Sequence, residues 1–279
     1  MRYRSQRLLR ARNALVTPSQ PRGSQGRGIV EVSFQHRAGT ILDIHPGMKR
    51  IPLFGAALLS LFAALTARSA LADGSIEGRI HYVGSKTASP PVKVSRDFVA
   101  NCGATQPAQD LLVGKDRGLA NAVVTVVGIP GTATPTALTL DEKNCVYLPH
   151  VAAVAAGSSL VLLNSDDTLH NVHATIGEKT LANIGLPTKG QKINAPARIL
   201  AKPGVVDVMC DAGHTWMSAH IHVFEHPGFA VSDADGTFKI TGVPPGTYDV
   251  TIEHETLGTL TKKVTVPANG VARLEVDIP

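Results

Sequence analysis

The stretch VMCDAGHTWM, residues 208–217, decides the interpretation of this chain. Its first residues are typical of a strand, and the stretch after Cys210, which contains Gly213, is typical of a short loop. The loop offers a thiol at Cys210, an imidazole at His214 and a thioether at Met217. Thiolate and imidazole bind copper in both oxidation states and a thioether adds a weak axial contact, whereas zinc rarely recruits methionine. The stretch therefore predicts a copper site.

A second motif, NSDDTLHNV at residues 164–172, supplies another candidate ligand. One loop covers only one side of a metal ion, so we expect a further ligand from a different strand end at the same pole of the molecule. His170 is that candidate, and His173, three residues further along the chain, is its rival. Asp166 and Asp167 precede His170 in a turn, where aspartate is favoured for local hydrogen bonds, so we interpret them as turn residues and not as a hydrolytic carboxylate pair.

Together, the two motifs resemble the plastocyanin and amicyanin group of cupredoxins over about Ser159–Glu225. In that group an Asn-rich turn precedes His-Asn-Val, and a Cys, His and Met loop closes the copper site. The resemblance implies one copper ion of type 1 and a hydrogen bond from Asn171 near the Cys210 sulfur that ties the two loops together. The implied ligands are His170, Cys210, His214 and Met217.

The loop departs from the amicyanin pattern, because three residues separate Cys210 from His214 where amicyanin-like loops have two. The spacing C-x3-H-x2-M resembles the second half of the binuclear copper loop of cytochrome oxidase subunit two. That centre needs another cysteine four residues earlier, and the chain has Val206 there. A single-copper site is therefore predicted.

Two alternatives remain open for these residues. Taken singly, Cys210 and Met217 could be ordinary core residues, and only their joint order with two histidines favours a metal. A second, weaker metal site is also conceivable: His220 and His222 share one face of a strand and could act with two further histidines, although the sequence fixes no acidic partner for them. Those further histidines are His226 and His254.

Residues 73–279 read as all-β, because short β-branched runs alternate with Gly, Pro and Asn-Asp clusters and helix signals are few. The spacing of the runs suits a Greek-key sandwich. Residues 151–157 could be a strand or a turn of helix. The predicted strands are Ser75–Val83, Ala122–Val127, Ser159–Asn164, Asn171–Thr175, Ile199–Ala201, Val205–Met209 and Ala219–Phe224.

The pattern changes after His226, where Asp-Gly and Pro-Pro-Gly mark tight turns between alternating strands. Residues 228–279 resemble the carboxypeptidase-regulatory-like domain, a small transthyretin-like sandwich, on Asp233–Ile240 and Gly242–Val250. The resemblance implies a structural or adhesive module without peptidase activity. We therefore predict a cupredoxin-like domain with an N-terminal β extension at residues 73–226 and a second sandwich at residues 227–279.

Residues 48–72 have the pattern of a signal peptide: Lys49 and Arg50, an apolar stretch too short to span a bilayer comfortably, and small residues at the Ala70 and Ala72 positions. We expect cleavage before Asp73, no membrane anchor afterwards, and a periplasmic or secreted protein. Because an export signal works at the N-terminus, we interpret residues 1–47 as translation from a mis-called upstream start, with a disordered basic extension as the alternative.

Residues 1–72, which we call the leader, also explain the basic composition of the chain. The chain has a net charge of +5, but residues 1–72 hold 11 of its 27 basic and only 2 of its 22 acidic residues. The remaining chain has a net charge of −4, so its composition no longer suggests nucleic-acid binding.

All three cysteines follow the leader, and an exported protein meets an oxidising compartment. We predict a Cys102–Cys145 disulfide, because both lie in loop or strand-edge contexts without a nearby histidine, which leaves Cys210 for the metal.

These observations favour a non-enzymatic electron carrier, in which one copper ion exchanges electrons with a periplasmic redox protein or enzyme in a transient complex. The resemblance implies an exposed edge of His214 as the electron exit, with Trp216 and Ala219 contributing to an apolar docking patch. The alternative is a cell-envelope binding or copper-storage module without redox function.

Overall fold

The computed structural model describes residues 73–279, so the predicted signal peptide and the predicted upstream extension lie outside the described residues. The described chain is almost entirely β, as predicted, with one short helix, α1, at Val99–Cys102 and two 3-10 turns at Lys115–Arg117 and Ala197–Ile199. No helix in residues 73–279 is long and apolar enough to cross a membrane. The strands are β1 Gly74–Tyr82, β2 Val92–Lys93, β3 Thr105–Gln106, β4 Val123–Val126, β5 Ala137–Lys143, β6 Val146–Leu148, β7 Val151–Ala155, β8 Ser159–Asn164, β9 His170–Ile176, β10 Lys179–Leu186, β11 Lys192–Asn194, β12 Gly204–Met209, β13 Ser218–Phe224, β14 Phe229–Val231, β15 Thr237–Val243, β16 Gly246–His254, β17 Gly258–Val266 and β18 Val271–Ile278.

The first sandwich occupies the middle of the chain. A five-stranded sheet in the order β10-β9-β12-β13-β7 faces a four-stranded sheet in the order β11-β8-β5-β6. Alternate side chains of both sheets meet in one core, to which β8 contributes Leu160 and Leu162 and β13 contributes Ala219 and Ile221. This alternation is what the period of a strand requires when one face is buried.

The second sandwich is built from both ends of the described chain. Its sheets have the orders β15-β1-β18 and β14-β4-β16-β17, and they share a separate apolar core. The N-terminal strand β1 is central in its sheet, since Ile76 pairs with Ile240 on one side and with Ala272 on the other. Strand β4 lies in the same way between β14 and β16. The first sandwich is therefore an insertion between β4 and β14.

This topology corrects the predicted division at residue 226. The strands predicted at 75–83 and 122–127 belong to the sheets of the C-terminal sandwich, and not to an extension of the copper domain. Alternation along a strand shows which face is buried, but it does not show which distant strand completes the sheet. The strand predicted at 199–201 is also wrong, because Ile199 is buried at the end of a 3-10 turn.

A short segment before β4 covers part of the first sandwich. Strands β2 and β3 form a two-stranded sheet, and α1 lies between them. Val94 and Cys102 are buried in the core of the first sandwich, and Phe98 packs against it. The predicted Cys102–Cys145 disulfide is present and anchors this segment, and Cys210 is the free cysteine of the described chain.

Candidate metal centre

The predicted ligands come together at one pole of the first sandwich. Strands β9 and β12 are antiparallel neighbours, with His173 opposite Met209, so the beginning of β9 lies beside the end of β12. His170 is the first residue of β9, and Cys210 directly follows β12. The loop from Cys210 returns to β13, which begins at Ser218. Sheet pairing therefore places a histidine and a loop rich in soft ligands at the same edge.

Three potential ligand atoms, one from the start of β9 and two from the loop after β12, converge at this edge. The Nδ1 atoms of His170 and His214 are 3.1 Å apart, and the Cys210 Sγ lies 3.5 Å from the His214 Nδ1. All three atoms lie within 4.8 Å of one another. His170 and His214 are fully buried, and Cys210 is 4% exposed. The cluster is a water-excluded set of two nitrogens and one sulfur.

Met217 follows His214 by three residues and is buried in the same core as the cluster. It is 1% exposed and belongs to the same core as Cys210. Its backbone N–H donates to the His214 carbonyl at 2.9 Å, which closes a tight turn between the two residues. The turn therefore connects the predicted axial ligand to the loop that carries His214, and the Met217 side chain is buried in the core.

Burial sets the protonation of the cluster. It lowers the pKa of His170, against the opposing effect of Asp166. Burial and the neighbouring His170 lower the pKa of His214 to about 4. Burial raises the pKa of the Cys210 thiol. Both imidazoles are therefore neutral at neutral pH and keep a lone pair for a cation, whereas metal binding must displace the thiol proton.

Asp166 fixes which nitrogen of His170 is available. Its Oδ2 lies 3.1 Å from the His170 Nε2 and accepts a hydrogen bond from the backbone of Cys145 at 2.7 Å. An ionised carboxylate only accepts, so the proton of a neutral His170 is on Nε2 and the lone pair on Nδ1 points at His214 and Cys210. A carboxylate partner of this kind is common for a metal-binding histidine. The donor set and this tautomer fit a copper ion.

Sequence reasoning assigned Asp166 only to a turn. The turn is present, because the Asp166 N–H donates to the Asn164 side chain at 2.8 Å. Its second role, orienting His170, was missed. A carboxylate four residues before a candidate ligand was the signal in the sequence, but the distance between the two depends on the fold of the loop.

Asn171 joins the two ligand-bearing loops. Its Oδ1 accepts from the backbone N–H of Ala212 at 3.0 Å, and its Nδ2 donates to the Asn183 side chain at 2.6 Å. Asn183 in turn donates to Asp211 at 2.8 Å. Asn171 therefore connects β9 to the loop after Cys210.

An aromatic cover lies over His214. The Phe98 ring is 4.3 Å from the His214 ring between centroids, and the Trp216 ring is 5.3 Å away. Trp216 Nε1 donates to the carbonyl of Cys145 at 2.9 Å, so the cover and the disulfide meet. The His214 Nε2 is buried without a hydrogen-bond partner.

Two expectations about the surface are therefore wrong. The edge of His214 is not exposed, and Ala219 is fully buried in the core and cannot contribute to a docking patch. The segment that carries Phe98 lies outside residues 159–225, where the resemblance was found, so its position over His214 could not be predicted from the two motifs. Trp216 is half-buried and remains available at the surface.

The rival histidines lie elsewhere. The His173 Nδ1 is 2.8 Å from Asp211 and its Nε2 is 2.9 Å from the Thr180 hydroxyl, so its ring is engaged on the outer face of the sheet. His220 is grouped with His150 and Glu255, and not with His226 and His254 as the alternative proposed.

Solved structures similar to this chain include two cupredoxins. A purple cupredoxin from Nitrosopumilus maritimus is 18% identical, with 32% of this chain and 98% of that chain covered and a TM-score of 0.26. Amicyanin from Paracoccus versutus is 22% identical, with 36% of this chain and 96% of that chain covered and a TM-score of 0.28. No curated protein matches the chain.

The family comparison concerns the C-terminal part of the chain. The match begins at residue 208, before the predicted start at Gly228, and so includes three of the predicted metal ligands. Residues 208–279 match the family model of the carboxypeptidase regulatory-like domain. The predicted type of domain is confirmed, with an earlier start than predicted.

Proposed function

We propose that this chain is an exported, mononuclear type 1 copper protein that carries out outer-sphere electron transfer. The observation that carries the proposal is the buried convergence of the His170 Nδ1, the His214 Nδ1 and the Cys210 Sγ, all within 4.8 Å. Two imidazoles, one thiolate and a weakly bound thioether, for which Met217 is the predicted residue, are the donor set of blue copper sites. When bound, copper would supply a one-electron couple, and no bond of a substrate is made or broken.

The residues around the ligands favour a rigid site. Asp166 holds the ring of His170, and Asn171 holds the loop between Cys210 and His214. The cluster is buried, so water does not have to reorganise around it when its charge changes. A ligand set that stays in place in both oxidation states keeps the reorganisation energy of electron transfer low, and this is the contribution that the protein makes.

The aromatic cover defines the route by which an electron would leave. Because Phe98 packs on His214 and the half-buried Trp216 lies beside it, the surface nearest the site is aromatic rather than the histidine edge itself. We propose that a periplasmic redox protein or enzyme docks there in a transient complex. Export is supported by the signal-peptide pattern of residues 48–72 and by the Cys102–Cys145 disulfide, since disulfides are typical of oxidising compartments.

The same cover favours a second candidate function. A ligand with no exposed edge suits a protein that stores copper in the cell envelope as well as one that exchanges electrons. The two candidates differ in rate: an electron carrier exchanges electrons rapidly between its oxidised and reduced forms, whereas a storage protein does not need to. Measuring the electron self-exchange rate of copper-loaded protein distinguishes them.

Two matched histidine variants test the ligand assignment. Copper-loaded wild-type protein should show an intense visible thiolate-to-copper absorption. His170→Gln should lose most of it, because Nδ1 of His170 faces the cluster, while His173→Gln should keep it, because His173 lies close to Asp211 and is hydrogen-bonded to Thr180 away from the cluster. Equal loss in both variants, or a wild-type protein that binds copper without this band, would contradict the proposal.

A further inference from the structure

A second group of metal-binding side chains lies where the two sandwiches meet. His150 directly precedes β7, His220 lies within β13, and Glu255 directly follows β16 of the C-terminal sandwich. Their ligand atoms lie within 4.8 Å of one another. The backbone also joins the two histidines, because the His220 N–H donates to the carbonyl of His150 at 2.8 Å.

One carboxylate faces both imidazoles. The His150 Nε2 is 2.8 Å from the Glu255 Oε1, and the His220 Nε2 is 3.2 Å from the Glu255 Oε2. The side chain of His150 is 4% exposed, and those of His220 and Glu255 are each 25% exposed. The cluster is therefore largely shielded from water but accessible from one side.

The Nδ1 atoms of the two histidines show which ring nitrogen carries the proton. The His150 Nδ1 lies 2.9 Å from the carbonyl oxygen of Ser218, and the His220 Nδ1 lies 2.8 Å from a carboxylate oxygen of Asp207. Both of these oxygens only accept hydrogen bonds, so each Nδ1 carries a proton. In a neutral imidazole the Nε2 then has no proton and carries a lone pair. Here the Nε2 lone pairs of both histidines point at the Glu255 carboxylate.

Two imidazole lone pairs that face one carboxylate repel it unless positive charge lies between them. Either each ring takes a second proton, which places two imidazolium ions with ring centroids 5.4 Å apart, one of them almost fully buried, or a single cation binds all three side chains. A divalent cation satisfies all the facing atoms with a single ion. The acceptors on the Nδ1 atoms are also the carbonyl and carboxylate partners typical of metal-binding histidines.

We propose that His150, His220 and Glu255 form a second metal site, which takes Zn²⁺. Two imidazoles and one carboxylate are a common zinc ligand set, in which the fourth position is left to water or another ligand. An adjoining pocket of about 200 Å³, lined by His220 and Glu255 together with Asp207 and Glu253, provides that position and adds negative charge. The ion would link the insertion to the C-terminal sandwich.

Zinc titration of the chain from residue 73 onward tests the proposal in a Cys210→Ser background, which removes the thiolate of the first site. One equivalent of Zn²⁺ should bind, and adding Glu255→Gln or His220→Gln should weaken binding at least tenfold. The matched control is His81→Gln, because His81 forms an exposed pair with Glu275 at 3.2 Å and belongs to no such cluster within residues 73–279.

A second readout uses the unchanged Cys210. In copper-loaded wild-type protein, Zn²⁺ should raise the melting temperature, and in copper-loaded Glu255→Gln it should not, because a ligand that binds only the folded state stabilises it. Absence of zinc binding in the wild type, or equal zinc affinity in wild type and Glu255→Gln, would overturn the site and leave a cluster held together by protons.

Discussion

The two sandwiches differ in what they bury. The core of the first is bordered by polar side chains with almost no exposure, among them Glu142, Asn164, His170 and His214. The core of the second is formed by aliphatic residues and a few aromatics, and fewer buried polar side chains, Ser232 and His254, border it. Burying polar groups costs free energy unless they are paired, so a core that concentrates them carries a cost that stability alone does not explain. The comparison indicates that the first sandwich carries the chemistry and that the second mainly provides structure.

The largest expected effects test the boundary between the two cores. Ile76→Ala in β1 and Leu162→Ala in β8 each empty a fully buried position, and each should cost about 2–5 kcal/mol of unfolding free energy. Hydrogen exchange separates them: Ile76→Ala should accelerate exchange in β15 and β18, which flank β1, and Leu162→Ala should accelerate it in the first sandwich. Unchanged exchange in β15 and β18 with Ile76→Ala would contradict the shared sheet.

A buried carboxyl in the first sandwich should make stability depend on pH. Glu142 is fully buried and neither carboxyl oxygen has a hydrogen-bond partner. Burial, with Asp141 and Asp166, raises its pKa from 4.5 to about 8. The folded state therefore retains a proton that the unfolded state releases, so the contribution of Glu142 to stability is most favourable below about pH 4.5 and is lost as the pH rises to about 8.

Glu142→Gln should remove this dependence. Replacing the acid with a neutral amide should raise the unfolding free energy at pH 9 by about 2–4 kcal/mol relative to wild type, since one pKa unit corresponds to about 1.4 kcal/mol. At pH 4 the difference should be small. Chemical denaturation at both pH values measures it, with the exposed Glu178→Gln as the matched control. An equal effect of Glu142→Gln at both pH values would contradict the pKa.

A smaller effect should come from the residue that orients His170. Asp166→Asn keeps the size of the side chain but can also offer N–H donors to the His170 Nε2, so the tautomer is no longer fixed. Copper affinity should fall about 10–100-fold, as is typical when such a partner of a metal ligand is changed. Competition with a copper chelator measures it. The neighbouring Asp167→Asn should have little effect, and an equal loss there would point to general loop damage.

The smallest effect should come from the aromatic cover. Phe98→Ala removes the ring packed on His214 and should expose the edge of the imidazole. If electrons leave through this side, the self-exchange rate should rise several-fold while the visible spectrum stays similar. A change in the spectrum without a change in the rate would show that Phe98 shapes the ligands and does not control access.

Much of this could be predicted from the sequence, and the failures have a common cause. The spacing of Cys210, His214 and Met217 is local, and strands such as Ser159–Asn164 follow from alternation within one segment. What was missed depends on pairing between distant segments: β1 joining β15 and β18, Phe98 covering His214, and Glu255 meeting two histidines of the other sandwich. None of these contacts is encoded by the pattern of a single segment.

The most direct test of the central claim is the visible spectrum of copper-loaded Cys210→Ala beside that of Met217→Leu. Cys210→Ala should abolish the intense band, because it arises from charge transfer from a thiolate that neither imidazole nor thioether can replace. Met217→Leu should retain copper and colour and shift the reduction potential, because an axial thioether binds weakly. A Cys210→Ala spectrum identical to that of the wild type would contradict the thiolate copper site and the electron-transfer function that rests on it.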